Sequence, residues 1–255
     1  MSLILLTNDD GVDSPGLLTL KQAIQKVGQV VVFAPDHNWS AGGHTKTMHK
    51  PLRVVETRLA DGSSAFATNG GPSDCVALAM LGILQQQPDL VVSGINPGAN
   101  VAQDMTYSGT VAAAMEGLIA GISSVAVSLA VRENGPRNFA VAARFAAILA
   151  QRLLESGRKD LLLNLNVPDL PLDQVKGVEI TRLGRRIYKD VLIEREDPRG
   201  HKYYWIGGEP PSGVIEEGTD VAALAASRVS VTPLQLDLTA YQALNELRTW
   251  ELCKE

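Results

Sequence analysis

Cysteine is scarce in this chain of 255 residues, which has only two: Cys75 within an apolar run and Cys253 near the C-terminus. That excludes a disulfide framework and a CxxC metal pair, and it fits a reducing compartment. An excess of basic residues is also lacking. Lys plus Arg number 23 against 28 Asp plus Glu, a formal charge of -5, so no long nucleic acid is expected as a partner. A locally positive site for a small anion stays open. No run is long enough to cross a membrane, because the longest uncharged, largely apolar stretch, Gly117 to Val131, falls short of about 18 residues. Met1 to Leu6 has no basic residue ahead of its apolar run and meets Asp9 and Asp10 almost at once, unlike a signal peptide. We expect a cytoplasmic protein with no membrane partner.

Several motifs are missing too. There is no GxGxxG after a strand, no GxSxG nucleophile elbow and no HExxH, so a classical dinucleotide site, an α/β-hydrolase and a zincin lack their signatures. Gly11 to Gly16 has the outer spacing of a P-loop, but Leu17 and Leu18 stand where Lys and Ser or Thr are required. No internal repeat or low-complexity tract occurs.

What is present is a core. At 45% hydrophobic and 20% charged, the chain is too apolar for disorder. Leu3 to Leu6 is a short continuous apolar run, as in a strand buried on both faces of a parallel sheet. Ser14 is an expected N-cap with Pro15 at the first helical position, Leu17, Leu20, Ile24 and Val27 recur at helical spacing, and Gly28 sits where a C-terminal cap would. The pattern continues with strands at Val30 to Ala34, Leu52 to Thr57, Ala65 to Thr68, Leu90 to Ser93, Val125 to Val131 and Leu161 to Leu165. Helices are expected at Ser73 to Gln87, Thr110 to Ala120 and 137–156, the last with Phe139, Phe145, Ile148, Leu149 and Leu153 on its apolar face. Such alternation argues for an α/β fold with a mostly parallel sheet covered on both faces. Pro35 to Lys50 and Gly94 to Ser108 are long for simple connections and read as functional loops.

The last third changes character. Val178 to Arg186 and Ile187 to Trp205 read as two extended segments around a turn at Asp197-Pro198-Arg199-Gly200, a hairpin with little core of its own. Val229 to Thr232 is strand-like, and Thr239-Ala240-Tyr241-Gln242 reads as a capping box opening a final helix with Tyr241, Leu244 and Leu247 on one face. We expect a single α/β domain over residues 1–255, with 178–255 supplying the arm and C-terminal elements for dimerisation. The aromatics Tyr203, Tyr204 and Trp205 fit either interface packing or base stacking.

Three segments carry chemistry, each with a plain alternative. Asp9 and Asp10 follow the first strand at the carboxyl edge where open α/β sheets bind ligands. Adjacent carboxylates repel unless a cation lies between them, and hard oxygen donors suit Mg, Mn or Ca; an Asp-Gly turn is the alternative. Asn96, in Ser93-Gly94-Ile95-Asn96-Pro97-Gly98, reaches the same edge and offers an amide oxygen, or forms a simple Asn-Pro turn. Asp36, Asn38 and Ser40 follow the second strand to that edge. Ser108-Gly109-Thr110 either caps the helix behind it or uses its free N–H groups to hold an anion. Acidic metal ligands beside an anion-binding helix start are what phosphate-ester hydrolysis needs. His49 and His201 read as solvated loop residues.

Thr7-Asn8-Asp9-Asp10-Gly11, Ala34-Pro35-Asp36, Ser93-Gly94-Ile95-Asn96, Tyr107 to Gly117 and Val231-Thr232-Pro233-Leu234 together resemble the SurE (survival protein E) family of bacterial and archaeal nucleotidases, in the same order over nearly the whole chain. The resemblance implies a Rossmann-like three-layer core with a C-terminal hairpin arm and terminal helix, assembling as a homodimer or a dimer of dimers. It implies removal of phosphate from nucleoside 5′- and 3′-monophosphates, and from short polyphosphate, with one divalent cation (Mg, Mn or Ca) per subunit. Asp9, Asp10, Ser40 and Asn96 would be the metal ligands, with Asp9 and Asp10 catalytic. Asn8, Gly43, His44, Asn100, Ser108, Gly109 and Thr110 would meet substrate or phosphate. This chain departs from the family pattern at His37 and Trp39, where an Arg is common, and at Ala102 and Gln103, where Gly and Asp are. A non-catalytic nucleotide sensor is the alternative in a different class. An aspartyl-phosphate phosphatase lacks its DxD, since residues 8 and 11 are Asn and Gly, and a glycosyltransferase is a weaker third.

Overall fold

The computed structural model describes residues 1–132, 137–250 and 252; Cys253 lies outside the described residues, and at Pro210 only the backbone is described. The apolar runs become a nine-stranded sheet. Its strands are β1 (Leu3–Thr7), β2 (Gln29–Pro35), β3 (Val54–Arg58), β4 (Ser64–Thr68), β5 (Leu90–Pro97), β6 (Ser124–Ala130), β7 (Leu162–Pro168), β8 (Val178–Ile180) and β11 (Val229–Leu234), in the order β3-β4-β2-β1-β5-β6-β7-β11-β8. From β4 to β7 neighbouring strands are parallel, whereas β3 and β11 run antiparallel to β4 and β7.

Two helices cover each face. Ile4, Leu6, Val92, Val125 and Val127 point to one side, where α1 (Pro15–Ile24) and α4 (Phe139–Ser156) pack on them. Leu5, Phe33 and Val91 point to the other, against α2 (Pro72–Leu78) and α3 (Gly109–Ile119). The alternation explains why the central runs Leu3 to Leu6 and Leu90 to Val92 are apolar at every position. Each fully buried Leu or Ile here contributes about 1.5–3 kcal/mol. Ser14 caps α1, its side chain accepting the Leu17 N–H, but the helix closes at Gln25, ahead of Gly28. The buried stripe of α4 is Ala142, Ala143, Ala146, Ala150 and Leu153. Of the larger residues expected there, Leu153 joins the stripe, Phe139, Phe145 and Leu149 sit at its rim, and Ile148, at 46% exposure, lies outside it, because small side chains let α4 approach α1 and the sheet closely.

Five other elements differ from expectation. The helix expected to run to Gln87 stops as α2 at Leu78 and passes into a wider turn, Ala79–Ile83, broken at Gly82 by a φ of 125°. β5 runs past Ser93 to Pro97: its register shifts between Ser93 and Asn96, and Asn96 and Pro97 then pair with Ser128 and Leu129. Val178 to Ile180 joins the main sheet beside β11, so the hairpin is instead β9 (Arg186–Glu196) with β10 (Lys202–Gly213), irregular between Glu209 and Ser212. A short helix, α5 (Asp220–Ala225), went unforeseen, and α6 (Tyr241–Leu247) has Ala240 at its N-cap with no side-chain cap bond. The Thr239 box therefore does not form; Asp237 accepts the Thr239 N–H instead.

Candidate active site

Parallel strands deliver their C-terminal ends to one edge, and short contacts draw the following loops together there. The backbone carbonyl of Asp9 accepts the Trp39 N–H at 2.8 Å, which brings Ser40 beside the acidic pair. The Gly43 N–H donates to the Tyr107 carbonyl at 3.0 Å, joining the Pro35 to Lys50 loop to the start of α3. Gly94 has φ +143°, and a Cβ there would lie 2.4 Å from the Val127 carbonyl oxygen, so only glycine allows the irregularity that aims Asn96. At the start of α3 a Cβ on Gly109 would lie 2.8 Å from the Cβ of Asp9. The acidic turn and the helix start are in direct contact.

Asp9 is buried, and its Oδ1 accepts the Thr110 hydroxyl at 2.5 Å. Burial raises its pKa above the ordinary carboxylate range despite the hydrogen bonds from Thr110. Asp10 is half-buried and is pushed up to about 6, first by burial and then by the charge of Asp9, with Arg137 acting in the opposite sense. Two carboxylates that resist ionising together favour a shared cation. Asp10 Oδ2 is a buried oxygen with no hydrogen-bond donor among the described residues, and Asn96 turns its Nδ2 to the Gly98 carbonyl at 2.8 Å, which leaves Oδ1 to face away from that bond. Ser40 is exposed, and both its N–H and its hydroxyl donate to Asn38 Oδ1. Two carboxylates, an amide oxygen and a hydroxyl form a donor set that fits a hard divalent cation. Among the described residues no group of three or more His, Cys, Asp or Glu side chains is placed to hold a metal, so Asp9 and Asp10 are joined in this donor set by Ser40 and Asn96 only.

The residues expected at the phosphate lie at four places. Ser108 caps α3, its Oγ accepting the Val111 N–H at 3.2 Å, and Gly109 and Thr110 form the first turn behind it. Asn8 is fully buried and holds the turn by donating from Nδ2 to the Gly11 carbonyl at 3.0 Å. Asn100 belongs to a buried amide cluster: its N–H and Nδ2 donate to Asn166 and Ser128, and its carbonyl accepts from Asn164 and Asn166. His44 reaches along α3 to Glu116, 3.1 Å from its Oε2, while Lys46 lies 2.5 Å from Oε1. Burial would raise the Glu116 pKa, but the hydrogen bonds from His44 and Lys46 and the Lys46 charge outweigh it and hold it low.

Sequence reasoning missed Glu116, Asp74 and the orientation of Thr110. Glu116 is the single charge in the otherwise apolar and small α3, a signal that was legible. Asp74, also buried, accepts the N–H and hydroxyl of Thr47 and the Gly71 N–H, and so anchors the far end of the long loop.

A doubly wound α/β sheet whose carboxyl edge joins an acidic pair to a helix N-terminus defines a crevice protein of the ligand-binding Rossmann-like class. Known proteins narrow that class. The Survival protein SurE family matches residues 4–190. The chain is 53% identical to the 5′-nucleotidase SurE of Herpetosiphon aurantiacus, over 96% of this chain and 97% of that protein. It is 50% identical to the 5′-nucleotidase SurE of Chloroflexus aggregans, over 97% and 98%. A crystal structure of the SurE protein from Aquifex aeolicus superposes with a TM-score of 0.81 at 41% identity, covering 96% of this chain and 98% of that one. The chain belongs to the SurE family. Among the described residues no helix is long and apolar enough to cross a membrane.

Proposed function

We propose that this protein is a phosphomonoesterase that removes phosphate from nucleoside 5′- and 3′-monophosphates, using one divalent cation per subunit. The observation that carries the reading is the Thr110 hydroxyl on Asp9, which makes the carboxylate pair and the helix start one site. Relatives named 5′-nucleotidase support the 5′ activity; 3′-monophosphates and short polyphosphate follow as further substrates of the same phosphate-centred site. Asp9, Asp10, Ser40 and Asn96 would hold the cation, Mg, Mn or Ca, which supplies Lewis-acid polarisation of a phosphoryl oxygen and acidifies water. The N–H groups of Gly109 and Thr110 face charge building on the phosphoryl oxygens, where fixed dipoles stabilise a transition state more than a ground state. Thr110 orients Asp9, and Glu116 holds His44 on the substrate-side loop. We place the protein in the cytoplasm.

We also infer that it works as a homodimer, or a dimer of dimers, with residues 178–255 forming much of the contact. Val191, Leu192, Trp205 and Ile206 on the arm are all more than half exposed, an apolar surface that a second copy would bury.

The test is phosphate release from 5′- and 3′-mononucleotides and p-nitrophenyl phosphate by EDTA-stripped protein, with Mn, Mg or nothing added back. Release only with cation, abolished by Asp9→Asn in a folded protein, is the expected result. Near wild-type turnover by Asp9→Asn would sink the mechanism, and tight mononucleotide binding with no release under any cation would make the protein a sensor.

A further inference from the structure

Two carboxylates tie the turn that leads into the helix start to the root of the arm: Asp220 from outside the turn and Asp104 from within it. Asp220, fully buried, accepts the Ala102 N–H on one oxygen and the Gly184 and Val221 N–H groups on the other, all at 2.8 Å. Asp104 accepts the Arg186 guanidinium at 2.8 Å on Oδ2 and the Tyr188 hydroxyl on Oδ1. The Arg186 N–H donates to Gln103 Oε1 at 2.8 Å, closing the same junction. Within the turn, the Asp104 carbonyl accepts the Tyr107 N–H at 3.0 Å, and the Met105 carbonyl accepts that of Ser108 at 3.4 Å. The connection from Asp104 to the cap of α3 is only four residues long.

Core packing holds only part of this turn: Ala102 and Met105 are buried, in small apolar clusters with Val221 and with Val111 and Ala114. A cavity of ≈ 670 Å³ lies between Ala102, Met105 and Thr106 on one side and Thr181 and Arg182 on the other. Ala102 has φ +50°, a left-handed conformation that costs a residue with a Cβ about 1–2 kcal/mol, and its N–H bond to Asp220 helps to hold it there. Tyr188 is correspondingly hard to ionise, pushed up to about 12 chiefly by its bond to Asp104.

We infer that Asp104 and Asp220 are positioning residues that tie the arm to the active site, so that the seating of Arg186 and Tyr188 sets the placement of Ser108-Gly109-Thr110 and, through Thr110, of Asp9. The inference rests on the reading that this helix start receives the phosphoryl group. It makes the arm a determinant of turnover as well as a surface for assembly. A carboxylate held by two arm residues and joined to the site by one short turn transmits a displacement of the arm root directly, and a misplacement of about 1 Å costs up to about 100-fold in rate.

The experiment compares Asp104→Asn, Arg186→Gln, the double variant and Tyr188→Phe, using p-nitrophenyl phosphate with saturating Mn. The expected result is a fall in kcat of about tenfold for Asp104→Asn and Arg186→Gln, with KM and the Mn half-saturation within about twofold of wild type. The double variant should be no worse than the poorer single, because both remove one clamp. A purely structural role would lower the Tm while leaving kcat of the folded fraction unchanged, and that outcome overturns the proposal. So does a double variant whose losses multiply. If Asp104→Asn fails to fold, Tyr188→Phe, which removes only the phenol's bond, decides: a kcat loss of more than about twofold supports the clamp, and wild-type kcat refutes it. Gly109→Ala separates this idea from the reading beneath it. Turnover lost in Gly109→Ala but kept in the clamp variants overturns the coupling alone, whereas turnover kept in Gly109→Ala overturns the phosphate reading and the coupling with it.

Discussion

Thr110→Val exchanges a hydroxyl for a methyl of similar shape and so isolates one bond. The 2.5 Å contact to Asp9 Oδ1 joins two buried residues and has the length of a charge-assisted bond. Such a bond contributes about 1.5–3 kcal/mol when the acceptor is ionised, against about 1 kcal/mol when it is neutral. The difference, about 0.5–2 kcal/mol, raises the Asp9 pKa further in the variant, and burial already holds it above its ordinary range. The sign follows. Below the folded-state pKa of Asp9 the variant loses only the weaker neutral bond, and its deficit grows as pH rises through that pKa. Urea unfolding of cation-free protein at pH 4 and pH 8 should therefore show the larger loss at pH 8. Calorimetric titration with Mn should show affinity about 10–100-fold weaker, as when a residue that orients a metal ligand is removed. Equal stability losses at both pH values, together with wild-type Mn affinity, would refute the claim that Thr110 sets the state of Asp9.

Cation-free protein should lose stability between about pH 4 and pH 6, because the unfolded chain releases the Asp10 proton near the ordinary carboxylate pKa while the fold retains it to about 6. Mn should consequently raise the Tm more at pH 7.5 than at pH 5; an equal shift at both would contradict the acidic-pair assignment. In a Cys253→Ser variant, Cys75 should resist thiol reagents until the protein unfolds, since burial pushes its pKa well up and leaves it inside the α2 face of the core; rapid labelling of the folded protein would show that this face opens. Trimming the hairpin tip beyond the Val191–Gly207 pair, so that Arg186 and Tyr188 keep their bonds to Asp104, should yield monomers by sedimentation, and a persisting dimer would place the interface elsewhere.

The layered core and the edge where the site forms are legible in the residue pattern alone. Leu3 to Leu6, Val30 to Ala34 and Leu90 to Val92 are apolar at every position, which a strand covered on both faces satisfies, and parallel strands send the loops that follow them to the same side. Ser14 and Pro15 set the start of α1 within one turn of chain, so local chemistry was enough. Where long-range contacts decide, local patterns ran out. Val178 to Ile180 looked like part of the hairpin because its strand character is local, but its partner, β11, lies about fifty residues on and only the closed sheet selects it. Thr110 carried no mark of whether its hydroxyl would cap α3, meet phosphate or bond Asp9 across 101 residues of chain; the close approach permitted at Gly109 chose the last. Asp220 and Asp104 are ordinary acidic residues in sequence. Their roles exist only because the arm folds back onto the turn after β5, where a buried carboxylate must find N–H donors and those of Ala102 and Gly184 are within reach.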